Sequence, residues 1–483
     1  MHEEDWNYFH DPEFLDSLAQ YEAACGEGRE PYMDADELTD IAEYYMTIHE
    51  EEKAGQAIDL AQRLHPDSVD PQVFLVRQQM FQDNMAEAHR LCDAITDQDD
   101  QEVRFLRAEM LIREQHPDEA SALLEQTYEH VSEDRASFLY DCVGVFMDYA
   151  LWEDAKRWVD RLRSEFPGYA KGQYLLADVL FAMGQNAQAA QELNQMLDRD
   201  PYNAEAWNLL AEIQVAEEQF REALDSCEYV LAVQEHNRQA MLTKAHCLCH
   251  LYEMEQAHRL YQRILRETGP DDLVYYYDAL TLINMEHFDD AAESLRMANA
   301  VGHEMSQEQE HIYLQQAYVE SKLHHLPQAL QAMDRAVEIS AGEATYEYDM
   351  LRGQIYLENG NVEEADDFFQ LALDKSEDKC HTLLLIGIAH GEVGKYREAA
   401  RLMEMLINVY GRPKGQAAIP YLAYCYFYLD QDEQFLHYLK DAVSVSRETT
   451  EHLFSDIFPN IAPEDYYYYA FKAIYGRFPE EGE

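Results

Sequence analysis

Small and apolar residues recur along this chain at a spacing that repeats many times. Eleven alanines mark the beat: Ala57, Ala88, Ala120, Ala155, Ala189, Ala223, Ala257, Ala291, Ala329, Ala365 and Ala399. Successive steps run from 31 to 38 residues, and 34 is the commonest. Apolar residues follow at four and seven places, as in Leu193 and Met196, Tyr261 and Ile264, Leu295 and Ala298, Phe369 and Ala372. That i, i+4, i+7 stripe predicts an amphipathic helix around each alanine. Twelve residues earlier stands another small residue, in most cases Ala108, Ala177, Ala211, Ala245, Ala279, Ala317, Gly353 or Gly387. This predicts a preceding helix whose backbone comes close to the alanine of the next.

Turn signals separate the two helices at Gly184-Gln-Asn, Gly360-Asn and Gly394-Lys. Pro167, Pro201 and Pro270 close units, because a helix cannot run on through a proline. One helix–turn–helix unit stacked many times is the architecture that such a period implies.

The pattern resembles the tetratricopeptide repeat. The resemblance rests on Trp207, Leu210, Ala211, Phe220 and Ala223 in one unit. In others it rests on Tyr275, Ala279, Phe288, Ala291, Leu295 and Ala298; on Gly353, Tyr356, Gly360, Ala365, Phe369 and Ala372; and on Gly387, Gly394, Tyr396 and Ala399. It covers about 80% of the chain and about twelve units. It implies an all-α, right-handed superhelical solenoid over residues 38–442.

The ends differ. Residues 1–37 predict one capping helix, opened by Asp11 and Pro12, with Phe14, Leu18 and Tyr21 on one face and Gly26 and Gly28 at its end. Residues 443–483 lack the signature and carry Tyr466, Tyr467, Tyr468 and Tyr469 on one predicted helix. Four consecutive tyrosines point to every side of a helix. This segment is therefore expected either to cap the last repeat or to dock a partner, and Leu453, Phe454, Ile457 and Phe458 favour the cap.

Composition agrees with a helical stack. Apolar residues make up 47%, and 19 glycines and 14 prolines are few for an all-β or disordered chain of 483 residues. No apolar run suffices for a bilayer, and Met1-His-Glu-Glu-Asp-Trp has neither a basic nor an apolar leader region. A cytoplasmic location is expected, and the unpaired-looking distribution of eight cysteines suits it. In His246-Cys-Leu-Cys249-His250 the two cysteines point to different sides of a helix, so they cannot chelate together. No metal and no cofactor are expected. The net charge of −59 spreads along the whole chain and disfavours nucleic acid and anionic membranes as partners.

The resemblance also implies where function sits, since first helices line the concave groove of such superhelices. Three residues before the small residue stand Phe105, Tyr140, Tyr174 and Tyr276; one residue after it stand Asp178, Glu212, Tyr318 and Tyr424. The expected groove is aromatic and acidic and suits an apolar or basic protein segment. A chaperone-tail clamp is not expected, because Asn208, Arg77 and Lys171 are scattered over three units. No phosphate-binding, nucleophile-elbow or dinucleotide motif occurs, so a non-catalytic scaffold or adaptor is expected. The alternative is a regulator or hydrolase of the bacterial tetratricopeptide type, a peptide sensor or phosphatase. Those carry an added domain for which 37 N-terminal residues are too few. In texture the acidic repeat chain with its tyrosine-rich tail resembles cytoplasmic repeat proteins of bacteria.

Overall fold

Small residues at helix contacts and a recurring left-handed turn shape the computed structural model of the protein. It describes residues 8–9, 11–26, 29–48, 50–301, 307–340 and 345–479. The leader residues Met1–Trp6 and the helix-ending Gly28 lie outside these. The chain divides into two compact units, Met1–Glu217 and Glu218–Glu483. Among the described residues every regular element is an α or 3-10 helix.

In the first unit, helix pairs follow one another. They are Ala35–Thr47 with Glu51–Leu64, Asp70–Phe81 with Met85–Ala94, Gln101–Arg113 with Pro117–Tyr128, Arg135–Asp148 with Trp152–Glu165, and Lys171–Ala182 with Asn186–Leu197. Ala204–Ala216 ends the unit. The second unit opens on Phe220–Val233. Its pairs are Arg238–His250 with Met254–Thr268, Asp272–Asn284 with Phe288–Val301, Gln307–Lys322 with Leu326–Ile339, Tyr346–Glu358 with Val362–Lys375, Lys379–Glu392 with Tyr396–Tyr410, and Ile419–Tyr428 with Asp432–Val445.

All eleven anchor alanines have a relative exposure of 0%. Their partners on the first helices are buried as well, with Ala108, Ala177, Ala245, Ala279 and Ala317 also at 0%. Gly353 shows why size matters there. A Cβ on it would stand 2.5 Å from the ring of Phe369 on the second helix, closer than atoms pack.

The turn between the two helices has one solution. The residue five before each anchor from Ala88 to Ala399 has positive φ, between 55° and 83°. Three of these residues are glycine; the others are Asp83, Gln115, Ala150, Glu218, Tyr252, Glu286 and His324. In every pair within a unit, the following amide donates to the carbonyl five residues back. Asn84 to Gln79 at 2.9 Å, Glu253 to Leu248 at 2.8 Å and Lys395 to His390 at 2.9 Å are examples. This is the Schellman closure, which satisfies the last carbonyls of the first helix and reverses the chain at once. First helices instead often begin on an Asx cap: Asp100, Asp134, Asn203, Asn237, Asp271 and Asp378 each accept from a backbone amide of the first turn.

At the N-terminal side, helix Pro12–Gly26 buries Phe14, Leu18 and Tyr21. Phe14 meets Tyr44 at 5.5 Å between ring centroids, and Tyr45 donates to Glu22 at 3.1 Å. After Val445, helix Arg447–Phe454, a 3-10 turn Pro463–Asp465 and helix Tyr466–Tyr475 complete the second unit. Phe454 is fully buried, and Tyr466 is 1% exposed and packs on Phe458 at 4.9 Å. Tyr468 and Tyr469 are about half exposed, so the four tyrosines divide between core and surface.

Candidate functional site

First helices carry the expected site residues, and the structure sorts them. Phe105 is a correction. It is buried, with its ring 5.1 Å from Phe138, because the helices Gln101–Arg113 and Arg135–Asp148 pack there, and it offers no surface to a partner. Tyr140, Tyr174, Asp178, Glu212, Tyr276, Tyr318 and Tyr424 are all half-buried, with part of each side chain open to solvent.

In the first unit Tyr140 lies under the Lys171 ammonium, 5.0 Å from its ring centre, and 6.3 Å from the ring of Tyr169. Beside it, burial pushes the Asp141 carboxyl up to about 6, helped by Glu102 and Asp134 and opposed by Lys171. Burial also raises Glu102 and Asp40 above the usual carboxylate range. Asp36, Asp40, Glu43, Asp70 and Glu102 line a cavity of about 150 Å³ with Arg77. That arginine is engaged by Glu109, through Nη2 to Oε1 at 2.9 Å. More carboxylates than cations therefore face this cavity, and Asp40 and Glu102 pay a desolvation cost that a cation would relieve.

In the second unit the site residues fall into separate groups. Tyr276 packs on Tyr277 at 5.7 Å. Tyr318 lies beneath the Lys322 ammonium at 5.1 Å, and Lys322 donates to Glu358 Oε1 at 2.6 Å. Glu358 also accepts from the Ser321 hydroxyl at 2.5 Å, and Gln354 donates to Glu392 at 3.3 Å. Burial raises Glu392 above the usual carboxylate range, while Lys322 pulls it back. Tyr424 belongs to a third group with Tyr428 at 4.8 Å, Tyr396 at 6.2 Å and Phe454 at 5.8 Å.

Lys322, Glu358, Glu392 and Tyr428 were missed by the sequence reading, and His250 was read only with the neighbouring cysteines. Each stands five residues after the small residue of its first helix, one turn beyond the expected position, and so shares its face. The row was legible as an i+4 extension of Tyr318, Gln354, Ile388, Tyr424 and His246.

A stack of helix pairs with partly open first helices is the architecture of repeat proteins that bind along extended surfaces. Tetratricopeptide-repeat family models match residues 152–213 and 214–283, and again 314–379. The chain carries tetratricopeptide repeats, and such repeats support a general role in protein interaction. No curated protein matches it. Among solved structures, a tetratricopeptide repeat protein from Parabacteroides merdae is similar at 16% identity, covering 53% of this chain and 98% of that one, with a TM-score of 0.39. PilF of Pseudomonas aeruginosa is similar at 18% identity over 42% of this chain and 90% of its own, with a TM-score of 0.36. YrrB, described as a tetratricopeptide protein with an unusual peptide-binding site, aligns at 16% identity over 40% of this chain and 97% of its own, with a TM-score of 0.35.

Proposed function

We propose that the protein is a non-catalytic interaction scaffold that holds an extended, basic or apolar segment of another protein along its first helices. The observation that carries this reading is the half-buried row of tyrosines beside carboxylates that burial has raised: Tyr140 with Asp141 and Glu102, and Tyr318 with Glu392. Tyrosine supplies contact area at low entropic cost, and an incoming Lys or Arg removes repulsion already present in the free protein. The reading includes a cytoplasmic location, capping segments at 1–37 and 443–483, and partners that are neither nucleic acid nor membrane. Among the described residues no helix is long and apolar enough to cross a membrane.

The test is capture of partners by the full chain, followed by calorimetry with the segment identified. Tyr140→Ala or Tyr318→Ala weakens binding by roughly 1–3 kcal/mol without lowering the melting temperature. Raising salt from about 0.05 to 0.5 M slows association with a basic segment, since the Debye length then shrinks to a few ångströms. Affinity indifferent to both tyrosines and to salt would move the site off the first helices.

A further inference from the structure

Histidines in so acidic a chain commonly find a carboxylate. His89 meets Glu114 at 2.7 Å, His236 meets Glu267 at 3.0 Å, His258 meets Asp278 at 2.6 Å and His325 meets Glu320 at 2.8 Å. His246 and His250 do not. They occupy the two groove-row positions of helix Arg238–His250, one turn apart on one face, and both are exposed. Their ring centroids are 4.5 Å apart at 61°. Phe220 stacks flat on His250, at 4.2 Å and 6°, and presents its edge region to His246 at 6.4 Å. Among the described residues neither imidazole makes a hydrogen bond or ion pair, so each neutral ring keeps a nitrogen lone pair free.

We propose that His246 and His250 form a two-point surface site for a divalent transition-metal ion, of which Zn²⁺ and Ni²⁺ are the type. Two histidines at i and i+4 reach one ion from a single helix face. Imidazole suits zinc, nickel and copper, whereas magnesium and calcium take oxygen donors. Stacking on Phe220 restricts the His250 ring and lowers the entropy lost on binding. The net charge of −59 raises the local concentration of any dication. The neighbouring cysteines do not contribute: Cys247 is buried, and the Cys249 thiol lies 3.4 Å from the Thr281 hydroxyl. Among the described residues no group of three or more donors converges, so water fills the remaining coordination positions, as does any donor that a bound segment brings. This departs from the sequence-based expectation of no metal. It stands independently of the groove reading, because no partner is needed for the ion to bind.

The test is Zn²⁺ titration of the full chain by calorimetry in excess Mg²⁺, which occupies the carboxylates without competing for imidazole. His246→Ala and His250→Ala are each expected to lower the affinity of one site about 10- to 100-fold, the loss that even a ligand's supporting partner produces. His437→Ala, at an exposed histidine elsewhere in the second unit, leaves that site unchanged. Both ligand positions are exposed, and circular dichroism checks that the variants fold. In the unmodified chain Zn²⁺ is expected to shield His246 and His250, but not His437, from diethylpyrocarbonate, as mapped by mass spectrometry. Unchanged affinity in either ligand variant, or equal modification with and without Zn²⁺, overturns the proposal.

Discussion

The two units use one backbone plan and dress it differently. In the first, Asp40 and Glu102, both raised by burial, line a cavity with an arginine already held by Glu109, and Asp141, raised as well, interacts with Glu102. In the second, Glu358 is satisfied by Ser321 and Lys322, and Glu392 is tempered by Lys322. The second unit also buries a histidine: His390 is 4% exposed, its Nδ1 lacks a partner among the described residues, and burial lowers its pKa. Burial thus raises carboxylates in both units, Asp141 in the first and Asp278 and Glu392 in the second, and in the second it also holds down a histidine. The electrostatic character of a repeat is decided at a few positions per first helix, while the anchors keep the hairpin shut.

The anchors give the sharpest way to break the comparison, because they should not differ. Ala155→Glu in the first unit and Ala365→Glu in the second each place a charge at a site of 0% exposure. Each is expected to destabilise its unit by about 3–5 kcal/mol, the cost of an uncompensated buried charge. Urea melts followed by circular dichroism check this, and an unperturbed melt in either variant would show that the hairpins do not depend on these contacts.

Phe454→Ala tests the end of the second unit. The ring is fully buried against Phe435 and Tyr466. Truncation is expected to cost about 3–5 kcal/mol and to promote aggregation. A variant that melts like the unmodified chain would show the segment from Arg447 onward to be a recognition element rather than a cap.

Protons act with opposite signs at one group in each unit. The folded pKa of Asp141 is raised, so its contribution is fully present below the unfolded value of about 3.9 and is lost as pH rises through about 6. Asp141→Asn should therefore stabilise the first unit by about 1 kcal/mol at pH 7, after discounting for solvent screening, and do nothing at pH 3.5. His390 has a lowered folded pKa, so its contribution is present above the unfolded value of about 6.5 and is lost as pH falls below it. His390→Leu should make the second unit less acid-sensitive. Melts from pH 4 to 8 that shift in the same direction for both variants would refute the contrast.

The smallest expected effect concerns the turns. Tyr252 holds φ 61° with its ring 86% exposed, a conformation that costs an L-residue about 1–2 kcal/mol. Tyr252→Gly is expected to stabilise by about 0.5–1 kcal/mol, with the gain partly offset by the freer unfolded chain. Gly184→Ala should do the reverse in the first unit, where φ is 72°.

Much of the fold was legible because its determinants are local and periodic. A buried alanine about every 34 residues, in most units with a small residue twelve places earlier, reports a close helix contact. The turn register was only partly legible. Three glycines marked it, yet Gln115, Ala150, Tyr252 and His324 adopt the same φ because two packed helices and the closing hydrogen bond impose it. The partly open row on the first helices was legible by position but not by membership. Phe105 and Tyr140 occupy equivalent positions, and only the packing of successive pairs buries one and leaves the other open.

The sequence by itself thus determined an all-α stack of hairpins, its period and the face that carries variable side chains. Those properties follow from spacing along one helix and between a helix and its neighbour. Tertiary structure alone decided which carboxylates burial raises, which histidines stand free of carboxylates and which tyrosines of the tail enter the core. Each depends on desolvation and on neighbours brought together by packing between helices, which periodicity along the chain does not encode.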